Sequence, residues 1–139
     1  MTEREAMLYE KLAGDAVGCG LCAHRCIIQA GRVGVCGVRL NDGGTLRTLV
    51  YGRVVSQGLD PIEKKPLFHF YPGSTAYSIA TVGCNFRCRF CQNAEISQTP
   101  RDDDRIMGDS CTPEQIVRAA VRCGARSISY TYTEPTIFA

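Results

Sequence analysis

Nine cysteines in a chain of 139 residues, most of them gathered into two groups, constrain the fold more than any other feature. Four stand at Cys19, Cys22, Cys26 and Cys36, three at Cys84, Cys88 and Cys91, and Cys111 and Cys123 stand apart. An odd number argues against a closed disulfide framework. The N-terminal run Met1-Thr2-Glu3-Arg4-Glu5 is too charged for a secretory signal, and no apolar run approaches the roughly 18 residues of a membrane span. The expected setting is therefore the reducing cytoplasm, where grouped cysteines serve metal ligation or thiol chemistry. The chain is 45% hydrophobic and 22% charged, which suits a folded domain rather than a disordered one. Its net charge of +2 is too small to argue for nucleic acid or an anionic membrane as a partner.

Between the cysteines the sequence alternates strand and helix signals. Thr2 to Leu12 mixes charge with Met7, Leu8 and Leu12 and reads as a short amphipathic helix. Leu46 to Ser56 suits a strand pair, or a strand with a glycine bulge. Asp60 to Gly73, with three prolines, reads as an extended connector, on which Glu63, Lys64, Lys65 and His69 are expected to be solvated. The uncharged run Ala76 to Val82 predicts a strand covered on both faces, ending at Gly83 just before the three-cysteine loop. Asn93 to Ser110 is polar, carries Pro100 and Asp102-Asp103-Asp104, and reads as a surface loop with a hydrated turn. A helix follows, with Thr112 as N-cap, Pro113 at the first position, Gln115 completing a capping box and Gly124 ending it. Ile116, Val117, Ala120, Val121 and Cys123 form its apolar face, and Cys123 is expected to be a core thiol. Ser127 to Thr133 predicts a second strand, reaching Glu134-Pro135. Strand, loop, helix and strand make one βαβ unit with a parallel pair.

The loop Cys84-Asn-Phe-Arg-Cys88-Arg-Phe-Cys91 holds three thiols within eight residues. Iron–sulfur cubes usually take four thiolates, so three leave one iron open to a small-molecule ligand. Three cysteines do not complete a tetrahedral structural zinc site. Gly83 permits a tight exit from the strand, and Phe86 and Phe90 are expected to cover the centre against water. Upstream, Cys19, Cys22, Cys26 and Cys36 are spaced C-x2-C-x3-C-x9-C. Four thiolates suit either a closed zinc site that staples a small lobe or a second iron–sulfur cluster that relays electrons, with His24 as a substitute ligand.

The C-x3-C-x-aromatic-C loop following the first strand of a parallel α/β unit resembles the signature of the radical S-adenosylmethionine (SAM) superfamily. The resemblance implies that Cys84, Cys88 and Cys91 ligate a 4Fe–4S cluster, that its open iron chelates SAM, and that Phe90 lies beside the adenine. It implies reductive cleavage of SAM to a 5′-deoxyadenosyl radical. Such enzymes often carry Gly-Gly-Glu at the end of the second strand, where the carboxylate holds the SAM amino group. Here Tyr132-Thr133 replace the glycines while Glu134 and Pro135 fit; the alternative is an ordinary strand-end glutamate.

Further motifs narrow the resemblance: Cys19-x-Leu21-Cys22-x-His24-x-Cys26, Gly34-Val-Cys-Gly-Val-Arg39, Asp60-Pro-Ile-Glu-Lys-Lys-Pro-Leu-Phe-His-Phe70 and Gly83-Cys-Asn-Phe-x-Cys-x-Phe-Cys-Gln-Asn93. These are similar to the AmmeMemoRadiSam-system radical SAM enzymes, relatives of pyruvate formate-lyase activating enzymes. The fold so implied is α/β: the N-terminal portion of a partial TIM-like (βα) barrel, preceded by a small Cys-rich metal-binding lobe. The expected divisions are a lobe over 1–45, a connector with short strands over 46–75, and the start of the barrel over 76–139. Since the chain stops just after the second barrel strand, it is expected to be a fragment, inactive alone. The implied partners are SAM, a reductant such as a flavodoxin or ferredoxin, and an unidentified substrate, which kinship to activating enzymes allows to be a protein. The competing reading is a non-catalytic iron–sulfur or zinc module for electron transfer or interaction.

Overall fold

The computed structural model describes residues 4–139. The first part of the chain forms two small antiparallel sheets. Strands β1 (Arg4–Glu5), β2 (Tyr9–Lys11), β3 (Val17–Cys19), β4 (Ile27–Ile28), β5 (Arg39–Asp42) and β6 (Thr45–Thr48) arrange as β1-β6-β5 and β2-β3-β4. Ala6, Val17, Cys19, Ile28 and Leu46 pack as one apolar cluster. The fully buried side chain of Asn41 joins the sheets, its amide donating to the carbonyls of Asp15 at 2.8 Å and Ile28 at 2.7 Å.

The helix expected over Thr2 to Leu12 is absent from the described part of that segment, which forms β1 and β2; Thr2 and Glu3 lie outside the described residues. Leu8 adopts φ +58, which no helix accommodates; Ala6 is buried, its amide donating to the Leu46 carbonyl, and Tyr9 packs partly buried against the same cluster. A mixture of charged and apolar residues is therefore a strand edge here, with Met7 and Leu8 exposed.

The second part is built on a three-stranded sheet ordered β11-β9-β8. Strands β7 (Arg53–Val54), β8 (Ser56–Pro61) and β9 (Thr75–Ala80) are followed by α1 (Ala94–Asp102), β10 (Asp109–Ser110), α2 (Pro113–Arg122) and β11 (Ser127–Tyr130). The central β9 pairs antiparallel with β8, Ser56 opposite Ala80, and parallel with β11, Ser127 opposite Ala76. Ala76 to Ala80 are all buried, as expected of a strand covered on both faces. The result is a mixed α/β fold of small sheets, with the expected parallel pair at its centre. The expected pairing within Leu46 to Ser56 is not made: β6 belongs to the N-terminal sheet, and β7 pairs with β10.

Helix α2 follows its sequence signals closely. The Thr112 hydroxyl accepts from the Gln115 amide, and the Gln115 side chain accepts from the Thr112 amide, so the capping box is complete. At the other end the Gly124 amide bonds the Val121 carbonyl and the Ala125 amide the Ala120 carbonyl, the paired bonds of a Schellman close. Ile116, Ala119 and Ala120 pack with Val54, Tyr77, Ile79 and Ile128. The apolar stripe is wider than the buried one: Val117, Val121 and Cys123 are exposed, so Cys123 is not a core thiol.

The segment expected to be a loop over Asn93 to Ser110 contains α1, polar yet half buried through Ser97, Thr99 and Pro100. Pro100 did not prevent a helix because the carbonyl it cannot serve has another partner. Proline carries no N–H, so it leaves the carbonyl four residues back, that of Ile96, without a helical bond. The Gly83 amide fills that place at 3.0 Å.

Candidate functional site

The two parallel strands deliver both expected sites to one end of the sheet. β9 runs through Thr81 and Val82 into Gly83 and Cys84; β11 runs into Tyr132, Thr133 and Glu134. The side-chain amide of Asn93, two residues after Cys91, donates to the Tyr132 carbonyl at 3.0 Å and ties the two ends together. The Thr133 hydroxyl donates to the Thr81 carbonyl across the same gap.

Gly83 sits where no other residue fits. Its φ is +93, and a Cβ there would lie 2.5 Å from Val38 Cγ1 and 3.0 Å from the Cys36 carbonyl oxygen. The last cysteine of the first group thus backs directly onto the residue before the first cysteine of the second. Gly37 makes the matching approach to α1, a Cβ there falling 2.9 Å from Pro100 Cβ.

In the three-cysteine loop, Cys84 is buried, Cys91 half-buried and Cys88 exposed. The Phe86 amide donates to Cys84 Sγ at 3.4 Å, and Cys91 Sγ lies 3.4 Å from Ser97 Oγ. Arg101 donates to the carbonyls of Cys84 at 2.9 Å and Phe86 at 2.5 Å, while Arg87 pairs with Asp102 at 2.6 Å. Asp102 is therefore the paired end of a helix rather than part of a hydrated turn. Phe86 is 55% and Phe90 87% exposed, so neither covers the thiols as expected. Residues 85–91 carry no helix or strand that would fold those rings inward.

In the four-cysteine group, Cys19 and Cys36 are buried and Cys22 and Cys26 half-buried. The Cys19 amide donates to the Cys26 carbonyl, and Cys19 Sγ accepts from the buried Arg39 guanidinium at 3.3 Å. Burial pushes the Cys36 thiol up from its ordinary pKa, opposed by a bond from the Val38 amide. His24 Nε2 lies 2.7 Å from the Asn85 carbonyl oxygen. All nine cysteines are free thiols, and among the described residues no three His, Cys, Asp or Glu side chains gather closely enough to hold a metal ion. The donor chemistry of the three-cysteine loop nonetheless fits an iron–sulfur group: three thiols, with an amide N–H already directed at one sulfur and a hydroxyl beside another.

Glu134 caps a short 3₁₀ turn, Pro135–Phe138, its Oε1 accepting from the Thr136 amide at 3.2 Å and the Thr136 hydroxyl at 2.5 Å. Two residues earlier, Tyr132 adopts φ +67. That is glycine's conformation, in a stretch where the resembling motif carries glycine. The Tyr132 hydroxyl is held by Asp60, which the sequence marks only as the start of the connector and of one motif. Its buried carboxylate accepts from Lys64 Nζ at 2.7 Å, Lys65 Nζ at 2.8 Å, Ser78 Oγ at 2.7 Å and the Tyr132 hydroxyl at 2.6 Å. Lys65 Nζ also lies 4.7 Å from the centre of the Tyr132 ring. Lys64, then Lys65, hold the Asp60 carboxyl far below the usual carboxylate range. Of the supposedly solvated connector residues, Lys65 is thus nearly buried in an ion pair. The Asp60-x3-Lys64 spacing was the available signal, hidden by Pro61, which marks the end of β8.

Residues 78–139 match the family model of the Radical SAM superfamily, which supports that superfamily for this segment. The chain is 53% identical over 135 residues to "Uncharacterized protein MJ0808" of Methanocaldococcus jannaschii, a match covering 97% of this chain and 40% of that protein. The chain thus spans about two fifths of the length of that relative. No solved structure matches. Among the described residues no helix is long and apolar enough to cross a membrane.

Proposed function

We propose, taking the Radical SAM match of residues 78–139 as the premise, that this chain carries the cluster-binding front of an enzyme that cleaves SAM reductively. The observation that carries the reading is the placement of Cys84, Cys88 and Cys91 immediately beyond β9, at the end of the sheet where Asn93 bonds Tyr132, two residues before Glu134. Carboxyl ends of parallel strands are where α/β barrels keep their chemistry. Cys84, Cys88 and Cys91 would hold the 4Fe–4S cluster. When bound, the cluster supplies the electron that releases a 5′-deoxyadenosyl radical from SAM. Phe90, exposed in this structure, would lie against the adenine. Glu134 would accept from the SAM ammonium through a charge-assisted bond.

The finer reading is a pyruvate formate-lyase-activating-like enzyme of the AmmeMemoRadiSam type, cytoplasmic, built on a TIM-like barrel behind a Cys-rich lobe. Its partners would be a flavodoxin or ferredoxin and a protein substrate. Cys19, Cys22, Cys26 and Cys36 would hold zinc or a second cluster. The test is anaerobic reconstitution of the full-length protein with iron and sulfide, followed by electron paramagnetic resonance with and without SAM. A reduced-cluster signal that shifts when SAM is added supports the reading. A signal indifferent to SAM, with no 5′-deoxyadenosine formed, returns the chain to a non-catalytic metal module.

A further inference from the structure

The three carbonyls that follow the first cysteine of the loop are each held from outside it. Arg101 takes those of Cys84 and Phe86, Gln98 adds a bond to Phe86 at 3.2 Å, and His24 takes that of Asn85 at 2.7 Å. Arg101 and Gln98 come from α1, the helix that follows the loop; His24 comes from 61 residues away. With their carbonyls drawn outward, the peptide units of this stretch present amides on the opposite side, and the Phe86 amide meets Cys84 Sγ there. N–H donors to sulfur are among the protein's levers on an iron–sulfur centre.

His24 is not on a free arm. It sits between Cys22 and Cys26, in a turn closed by the Arg25 amide on the Cys22 carbonyl, with Arg25 in the left-handed region at φ +47. Ala23, His24 and Val35 on one side and Asn85, Arg87 and Arg101 on the other line a shared cleft. The imidazole bridges the cleft, so the four-cysteine group reaches the backbone of the three-cysteine loop through this side chain as well as through the approach of Cys36 to Gly83.

We propose that His24 is a positioning residue for the three-cysteine loop: by donating from Nε2 to the Asn85 carbonyl it fixes the Asn85–Phe86 peptide unit, whose N–H is aimed at Cys84 Sγ. The inference deepens the proposed function and rests on it only in taking Cys84 as a cluster ligand. It makes His24 a strut between the two cysteine groups rather than a metal ligand of the first.

The test uses full-length protein with His24→Ala and His24→Gln, the glutamine amide reproducing an Nε2-type donor. In reduced, metal-free protein, iodoacetamide labelling of the buried Cys84 is followed by mass spectrometry. His24→Ala should label about two- to tenfold faster, the equivalent of losing one net hydrogen bond, and His24→Gln should return towards wild type. In reconstituted protein the cluster midpoint potential should move in His24→Ala and be restored in His24→Gln. Equal labelling of wild type and His24→Ala overturns the proposal, as does loss of N-terminal metal in both variants, which would make His24 a ligand. Labelling that follows the expected order while wild-type cluster spectra ignore SAM leaves the strut standing and removes the enzymatic reading instead.

Discussion

The amide of Gly83 donates to the carbonyl of Ile96 at 3.0 Å, the one carbonyl that Pro100 strips of its helical partner. A residue that ordinarily damages a helix thereby anchors α1 to the entrance of the three-cysteine loop. Gly83 can stand there only without a side chain. Gly83→Ala should therefore lose about 2–3 kcal/mol, from overpacking against Val38 and from a left-handed backbone together. Urea denaturation checks this, and a midpoint within error of wild type would refute it.

Removing any one of Cys84, Cys88 or Cys91 should abolish the SAM-responsive cluster signal, taking iron attributable to that loop from about four per chain to near zero. Cys123→Ala should retain both, because that thiol is exposed at the end of α2 and far in sequence from either group. Iron and sulfide analysis after anaerobic reconstitution reads both outcomes.

Asp60 makes stability depend on acid. Its carboxyl is held below the usual range by Lys64 and Lys65, so its contribution is complete above the unfolded value, about 3.9, and fades as pH drops below that. The urea midpoint of the wild type should fall continuously below about pH 4. Asp60→Asn should cost about 2 kcal/mol at neutral pH and flatten the acid limb. An acid limb unchanged by the substitution would sink the assignment.

Tyr132 gives the opposite edge. Burial, then its bond to Asp60, pushes the phenol up, so its contribution is present below about pH 10 and lost as pH rises through its folded value. Tyr132→Phe should remove that alkaline loss and lower stability by about 1 kcal/mol at neutral pH. Tyr132→Gly, relaxing the backbone but losing the hydroxyl, should not exceed wild-type stability.

Thr112→Ala should cost about 1 kcal/mol, since the capping box is the best-formed helix start in the fold. Circular dichroism melts suffice to read it.

What the sequence made legible follows from how local each signal is. Capping at Thr112, Pro113 and Gly124 depends on a few adjacent residues, and α2 forms where those residues place it. The uncharged run ending at Gly83 marks β9 for the same reason. The failures share a different cause. Helix α1 depends on Pro100 finding its freed carbonyl a partner thirteen residues upstream, and β1 depends on β6, more than forty residues on. Asp60 and Tyr132 meet across 72 residues, and His24 and Asn85 across 61, so no spacing pattern could announce either pair. The cysteines could be counted from the sequence; the contact between Cys36 and Gly83 that sets the two groups back to back could not.

That contact bears on any attempt to take the protein apart. Val38 and Cys36 share one apolar cluster with Val50, Val82 and Ile137, drawn from both ends of the chain. Excising the first cysteine group as a stand-alone cassette would strip those side chains of their neighbours and leave a greasy scar on each piece. Swapping the group between homologous backbones should succeed only where the acceptor, too, offers a bare α-carbon at the seam.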